Sequence, residues 1–318
     1  MLELTVGNGR DFLTITEALQ AIPYDTSATI RIDAGIYEEK VFCEKRDITL
    51  IGAGPDETII RWADYGYKPH PDGRKYGTFR SYTAFFGGER LTVKALAIEN
   101  TSGDHKVAGQ AIAAYVDSKM ARFSNVHFRS QQDTLFCAPL PAVEREVGGF
   151  FGPRNFSDRR ASTQIYQACN IAGNIDFIFG GADALFLDCT IVSTGAGYVA
   201  APSDAQAGTG FIFKECRFTK TATCEQGTVY LARPWREEGK VAVINCDLDD
   251  HIHAAGFAAW NPADSWETNN RSTFVELEST GSGASPETRV SWAKKLDDEQ
   301  LKSFNEQLKV LEKLADSL

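Results

Sequence analysis

No apolar run in the 318-residue chain approaches the ~18 residues that a membrane-spanning helix needs. The opening Met1-Leu2-Glu3-Leu4-Thr5 has neither the basic region nor the apolar core of a signal peptide. A protein that does not cross a membrane by helices is expected. Runs of lysine and arginine are missing as well. With 43 acidic residues against 33 basic ones and a net charge of −10, the chain has no concentrated basic face for a phosphate backbone. Nucleic acid is therefore not an expected partner. The same charge does not attract a long polyanion, so an acidic substrate would need a groove locally less negative than the rest of the surface. Among the seven cysteines no pair lies closer than Cys216 and Cys224, which excludes CxxC redox and zinc-ribbon patterns. An odd count without a leader favours reduced thiols and a cytosolic address, the alternative being an exported chain whose leader has been removed.

Familiar catalytic motifs are equally scarce. The chain has no GxSxG elbow, no HExxH, no P-loop and no GxGxxG after a strand. Its five histidines are dispersed except for His251-Ile252-His253, whose alternate side chains would share one face of a strand. No third ligand is evident nearby, so surface imidazoles are expected there and no metal.

What is present is periodic. Ile15, Ala18, Leu19 and Ile22 fall at helical spacing within residues 11–22, with Thr14 placed to cap, Glu17 at the third helical position and Pro23 as the stop. β-rich stretches follow at Thr29 to Ile32, Asp47 to Ile51 and Thr58 to Arg61, separated by Gly, Pro and Asp turns. From residue 91 a unit apolar-x-x-apolar-x-apolar recurs, starting at Val93, Phe123, Tyr166, Phe186, Phe213 and Val243. Successive starts lie 30, 43, 20, 27 and 30 residues apart. A constant unit joined by variable loops is what a parallel β-helix requires, because each coil buries its inward side chains only against the coils above and below. Cys169, Cys189, Cys216 and Cys246 occupy one position of the unit, so a ladder of small core residues is expected rather than disulfides or metal ligands. Residues 138–162 interrupt the repeat as a long loop carrying Pro139, Pro141, Gly148, Gly149 and Pro153 beside Phe150 and Phe151. A terminal helix over 297–314, with Leu301, Phe304, Leu308, Leu311 and Leu314 at helical spacing, is expected to cover an edge or flank of the solenoid. The fold class is thus all-β: one domain over 1–318, a right-handed parallel β-helix with a short N-terminal and a C-terminal helix.

Three charged positions stand out because their neighbours are apolar. Asp176 lies in Gly173-Asn174-Ile175-Asp176-Phe177-Ile178-Phe179-Gly180, Asp133 in Gln132-Asp133-Thr134-Leu135, and Arg233 in Leu231-Ala232-Arg233-Pro234-Trp235. They suggest a partly buried cluster in which the arginine holds one carboxylate ionised, or else a purely structural buried salt bridge. Gln110 and Gln132 would stand one coil apart, about 4.8 Å, beside the aspartates. Side-chain amides can hold an oxyanion without adding charge.

These stretches resemble those of the pectin methylesterases (pectinesterases), carbohydrate esterases built on a right-handed parallel β-helix. Gly9-Arg10-Asp11-Phe12 with Thr14-Ile15, Gly35-Ile36-Tyr37-Glu38-Glu39 and Gln110-Ala111-Ile112-Ala113 match as well, in the family's order and nearly end to end. The resemblance implies hydrolysis of the C6 methyl esters of galacturonate in pectin or methylated oligogalacturonides, with no cofactor and no metal, by a protein expected to be a monomer. It implies Asp176 as nucleophile, Asp133 as acid and then base, Gln110 and Gln132 as the oxyanion site, and Arg233 as the partner that lowers the pKa of Asp176. Trp235, Phe179, Tyr115 and Thr83 match groove positions that bind substrate. Two departures stand out. Ala232 replaces a usual Gly, and Tyr198-Val199-Ala200-Ala201-Pro202 replaces a more polar segment, neither expected to touch the chemistry directly. The 138–162 insertion resembles bacterial members more than plant ones. The alternatives are a calcium-dependent lyase on the same scaffold, an acyl-thioesterase, and a β-helix that only binds glycans.

Overall fold

The structure, a computed structural model, describes residues 2–203, 208–261 and 271–316. It is a parallel β-helix with three strand-lined faces, wound in the right-handed sense that parallel crossovers adopt. The first face stacks Leu2–Val6, Ser27–Ile32, Asp47–Ile51, the opening halves of Arg90–Asn100 and Met120–Arg129, then Thr163–Gln167, Asp183–Leu187, Phe211–Lys214, Lys240–Ile244 and Thr273–Leu277. The third face stacks Val41–Cys43, Ala84–Phe86, Ala114–Val116, Leu135–Cys137, the ends of Asn170–Gly180 and Thr190–Pro202, and Val229–Ala232. The site described below lies on this face.

The repeating unit is the bend between the first and second faces. Phe123 pairs with Val93 and Tyr166, Tyr166 with Phe186, Phe186 with Phe213, and Phe213 with Val243, so the unit aligned in sequence is the register found in space. Inside the coil the rings of Phe123, Tyr166, Phe186 and Phe213 stack with centroids 5.0, 4.7 and 4.6 Å apart. The third position of every unit turns the chain through the left-handed region: Ala95, Asn125, Ala168, Asp188, Glu215 and Asn245 all have φ between 51° and 55°. The fourth position then points inward. Cys169, Cys189, Cys216 and Cys246 are buried, unpaired thiols, and each is directed at a backbone carbonyl one coil back, at 3.6, 3.3, 3.3 and 3.5 Å. The expected cysteine ladder is present, with no disulfide.

Both helices form, with shifted bounds. The N-terminal one spans only Ile15–Ala21, because Thr14 is extended and makes a full capping box with Glu17. Asp11 is drawn back to Thr5, accepting from its N–H and hydroxyl, so residues 11–13 belong to the first coil. The C-terminal helix spans Asp298–Asp316 and covers a flank. Its Leu308, Leu311 and Ala315 bury an outward apolar ladder of the first face, Ile165, Leu185, Ile212, Ala242 and Val275, and Lys214 ties it down through Glu312. Residues 138–162 contain no strand, as expected for a long loop.

The left-handed bend is strained for any residue with a Cβ, by about 1–2 kcal/mol. Ala95→Gly should therefore stabilise the protein by roughly 0.5–1 kcal/mol after the added flexibility of the unfolded chain is subtracted. Ala97→Gly, two residues on in ordinary strand, should destabilise it by about as much. Urea unfolding of the two variants checks the sign of each.

Candidate active site

The outward side of the third face is an aromatic ladder. Phe42, Phe85, Tyr115, Phe136 and Phe179 follow one another coil by coil, with centroids 4.8, 5.0, 4.7 and 4.8 Å apart, and the next rung is Ala201. Where this ladder shrinks from Phe179 to Ala201, a cavity of about 310 Å³ opens. Gln110, Gln132, Asp133, Asp176, Arg233, Phe179 and Trp235 all line it.

Each polar group arrives by the stacking rule. Gln110 and Gln132 form a parallel bridge in neighbouring coils, just ahead of the strands Ala114–Val116 and Leu135–Cys137. Asp133 donates its backbone N–H to Ile175, which sets it beside Asp176 on the next coil. Both aspartates turn through left-handed backbone, φ 64° and 49°. The glycines that frame Asp176 are required by space. A Cβ on Gly173 would lie 2.3 Å from that of Phe177, and one on Gly180 would lie 2.0 Å from the Cys137 carbonyl. Arg233 follows the strand Val229–Ala232, and its N–H bonds the Ala200 carbonyl. The small rung at Ala201 leaves it room to reach back to Asp176.

The two carboxylates have unequal company. Arg233 grips Asp176 with both arms of its fork, Nε to Oδ1 at 2.8 Å and Nη2 to Oδ2 at 2.6 Å. The guanidinium is itself held between two rings, 3.8 Å from the centroid of Tyr198 and 4.3 Å from that of Trp260. Asp133 is 7 % exposed, accepts from Gln132 and faces the negative charge of Asp176. Burial, reinforced by that charge, holds the Asp133 carboxyl protonated well above the usual carboxylate range. At Asp176 burial also raises the pKa, and Arg233 only opposes it. The expectation that Arg233 would bring the pKa of Asp176 below its ordinary value is thus corrected: at 6 % exposure, loss of water outweighs the ion pair. The push is stronger at Asp133, which has no such cation on its oxygens and faces the charge of Asp176.

Two of the residues expected in the groove lie away from the cavity. Thr83 is fully buried and donates its hydroxyl to the Glu99 carbonyl. Tyr115 is fully buried as well, an outward rung set between Phe85 and Phe136 and sealed beneath Phe79 and Tyr82. Neither borders the cavity. Tyr198, expected to stand clear of the chemistry, touches Arg233, whereas Ala232 sits in the coil interior. His251 is not a surface imidazole but fully buried, while His253 stacks on Tyr230. Among the described residues His251 gathers with Asp249 and Asp250 into a group of possible metal ligands away from the cavity, where Lys220 already pairs with Asp250.

Sequence reasoning passed over Phe79, Arg145, Glu146, Arg236 and Trp260, which also line the cavity. Their loops carry no repeat signal. With Asp133 neutral, Arg145, Arg233 and Arg236 outnumber Asp176 and Glu146, so the cavity is locally less negative than the protein, as an acidic substrate requires.

A family profile described as Pectinesterase matches residues 4–141 and 157–310, leaving 142–156 without a counterpart. A relative called probable pectinesterase/pectinesterase inhibitor 21, from Arabidopsis thaliana, is 31% identical over 94% of this chain, which spans 42% of that protein. The chain thus spans less than half the length of that relative. Pectinesterase 31 of the same plant is 28% identical over 96% of this chain and 90% of its own length. The solved structure of pectin methylesterase from carrot superposes with a TM-score of 0.77 at 26% identity, covering 98% of this chain and 95% of that one.

The raised pKa of Asp133 has a consequence for stability. In the unfolded chain the carboxyl ionises near the ordinary value of about 3.9, whereas in the fold it keeps its proton to higher pH. As pH rises above ~4 the unfolded state alone gives up this proton, so Asp133 costs stability from there up to its folded pKa. Asp133→Asn should therefore raise the thermal midpoint at pH 7 relative to the unaltered protein. The difference should shrink as pH falls toward 4, measured by calorimetry across that range.

Proposed function

The chain belongs to the pectinesterase family, and on that premise we propose that it hydrolyses the C6 methyl esters of galacturonate in pectin or methylated oligogalacturonides, releasing methanol. The observation that carries the reading is the asymmetric pair: two buried aspartates on consecutive coils, one gripped by an arginine and the other without a cation of its own, its pKa pushed up by burial and by its neighbour's charge.

In this reading the ionised Asp176 attacks the ester carbonyl, and the amides of Gln110 and Gln132 receive the developing oxyanion. Asp133 gives its proton to the departing methoxyl oxygen, and methanol leaves. The acyl group is left on Asp176 as an anhydride-like intermediate. Asp133, now a carboxylate, takes a proton from water as the water oxygen attacks the same carbonyl. Collapse frees the galacturonate acid and restores Asp176 as a carboxylate and Asp133 as an acid. Arg233 neutralises Asp176 in the resting state and positions its oxygens. Trp235 offers an apolar face to the sugar ring, and the buried Phe179 adds only the edge that reaches the cavity. An unbroken run of strand pairing from Leu2–Val6 to Thr273–Leu277 supports one domain over 1–318. A monomer accords with the covering of its apolar flank by its own helix.

Asp176→Ala should lower methanol release by at least about 10³-fold while leaving circular dichroism unchanged; release at a comparable rate would sink the assignment of nucleophile. A chelator should not affect release, and no unsaturated sugar should form. Calcium-dependent formation of such a product would point to a lyase instead.

The pH profile follows from the same pair. Activity requires Asp176 ionised and Asp133 protonated, and burial raises both pKa values. The acid limb should therefore lie above the ordinary carboxylate range and the basic limb higher still, a bell read from kcat/KM against pH. Arg233→Leu removes the group that opposes burial at Asp176, so the acid limb should move further up. It should also lower stability by roughly 3–5 kcal/mol, the cost of leaving a buried charge unpaired.

A further inference from the structure

Residues 142–156, which have no counterpart in the family profile, are built as a strap across the third face. Toward the N-terminal coils, the strap and the residues just after it are fastened by charge. Arg154 pairs with Asp117 and Glu44, and Arg160 donates to the carbonyls of Gly88 and Asp117. Toward the C-terminal coils it is latched to the loop after Arg233. Arg145 donates to the Trp235 carbonyl at 2.6 Å, and Arg236 donates to the same carbonyl at 3.0 Å and to that of Val143 at 2.9 Å. Between these anchors Phe150, 5 % exposed, packs edge-on against Phe79 and Trp235, at 5.7 and 6.4 Å.

The strap changes what the aromatic ladder can offer. Phe85, Tyr115 and Phe136 would be groove floor if uncovered, but all three are fully buried: Tyr82 and the strap's Arg154 cover Phe85, and Phe79, against which the strap's Phe150 packs, covers Tyr115 and Phe136. What stays open is the space over Phe179 and Ala201, about 310 Å³, at the low end for pockets that hold small molecules. A galacturonan with its ester at Asp176 and its chain continuing along the ladder toward Phe136 would meet the wall of Phe79 and Phe150.

We infer that the strap makes the site selective for the ends of galacturonan chains and for short methylated oligogalacturonides over the interior of the polymer. This rests on the esterase reading for the reaction, though not for binding. The polymer has few ends per ester, so its interior esters react slowly, whereas every short oligomer presents an end.

The test compares methanol release, per ester, from methylated trigalacturonide and from highly methylated polygalacturonan. The unaltered protein should show a kcat/KM at least tenfold higher on the trimer. Phe150→Ala, which removes the strap's part of the wall and the support it gives Phe79, and Arg145→Ala, which releases the latch from an exposed position without emptying the core, should each reduce that ratio at least threefold. Equal rates on the two substrates, or a ratio that neither variant moves, would overturn the inference. Calorimetry with unesterified trigalacturonate and polygalacturonate reads the same point without catalysis. One protein per chain end supports end binding, whereas several proteins along each polymer overturn it. End binding without methanol release from either substrate would sink the esterase reading and leave this inference standing.

Discussion

Stacking without slippage is the constraint on which everything else in this molecule rests. A coil has no core of its own, so each inward side chain must meet a matching one directly above and below. Phe123, Tyr166, Phe186 and Phe213 do so as a ring stack, and the four cysteines do so one bend later. The left-handed residue between them is the cost of turning from one face to the next without losing register. Asp133 and Asp176 stand on the same kind of backbone at another corner, so the bend at the site is a use of the solenoid's ordinary turn.

Because stacking repeats position for position, it brings like next to like. For apolar residues that is favourable; for two aspartates it is costly, and the cost is met unequally. Arg233 reaches across the small Ala201 rung to neutralise one carboxylate, while the other escapes charge by keeping its proton. Two chemically identical side chains thereby acquire different protonation behaviour from position alone. The rings of Tyr198 and Trp260 hold the arginine in place, so the aromatic departure at Tyr198 supports the ion pair.

The outer faces show one problem solved twice. Stacked strands leave apolar ladders outside as well as inside, and each must be covered. On the first face the C-terminal helix lies over Ile165, Leu185, Ile212, Ala242 and Val275. On the third face Phe79, backed by Phe150, lies over the rungs from Tyr115 to Phe179 and goes no further. The cavity exists where that cover ends. In a chain of net charge −10 the arginines at its margin make it a place that a galacturonate carboxylate can approach.

By itself the sequence determined the repeat, its register, the inward cysteines, both helices and the five polar residues that meet at the cavity. Each of these is written in local spacing or in a charged residue set among apolar ones. Tertiary structure alone decided which aromatic rung reaches the cavity, since Tyr115 and Phe179 read alike in sequence and only Phe179 stands at its margin. It also decided that burial at Asp176 exceeds the pull of Arg233, because desolvation depends on all the surrounding atoms and not on the partner alone. Arg145, Phe150 and Trp260 come from loops of irregular length, whose destinations are set by anchors on distant coils, and no periodicity within the chain announces them.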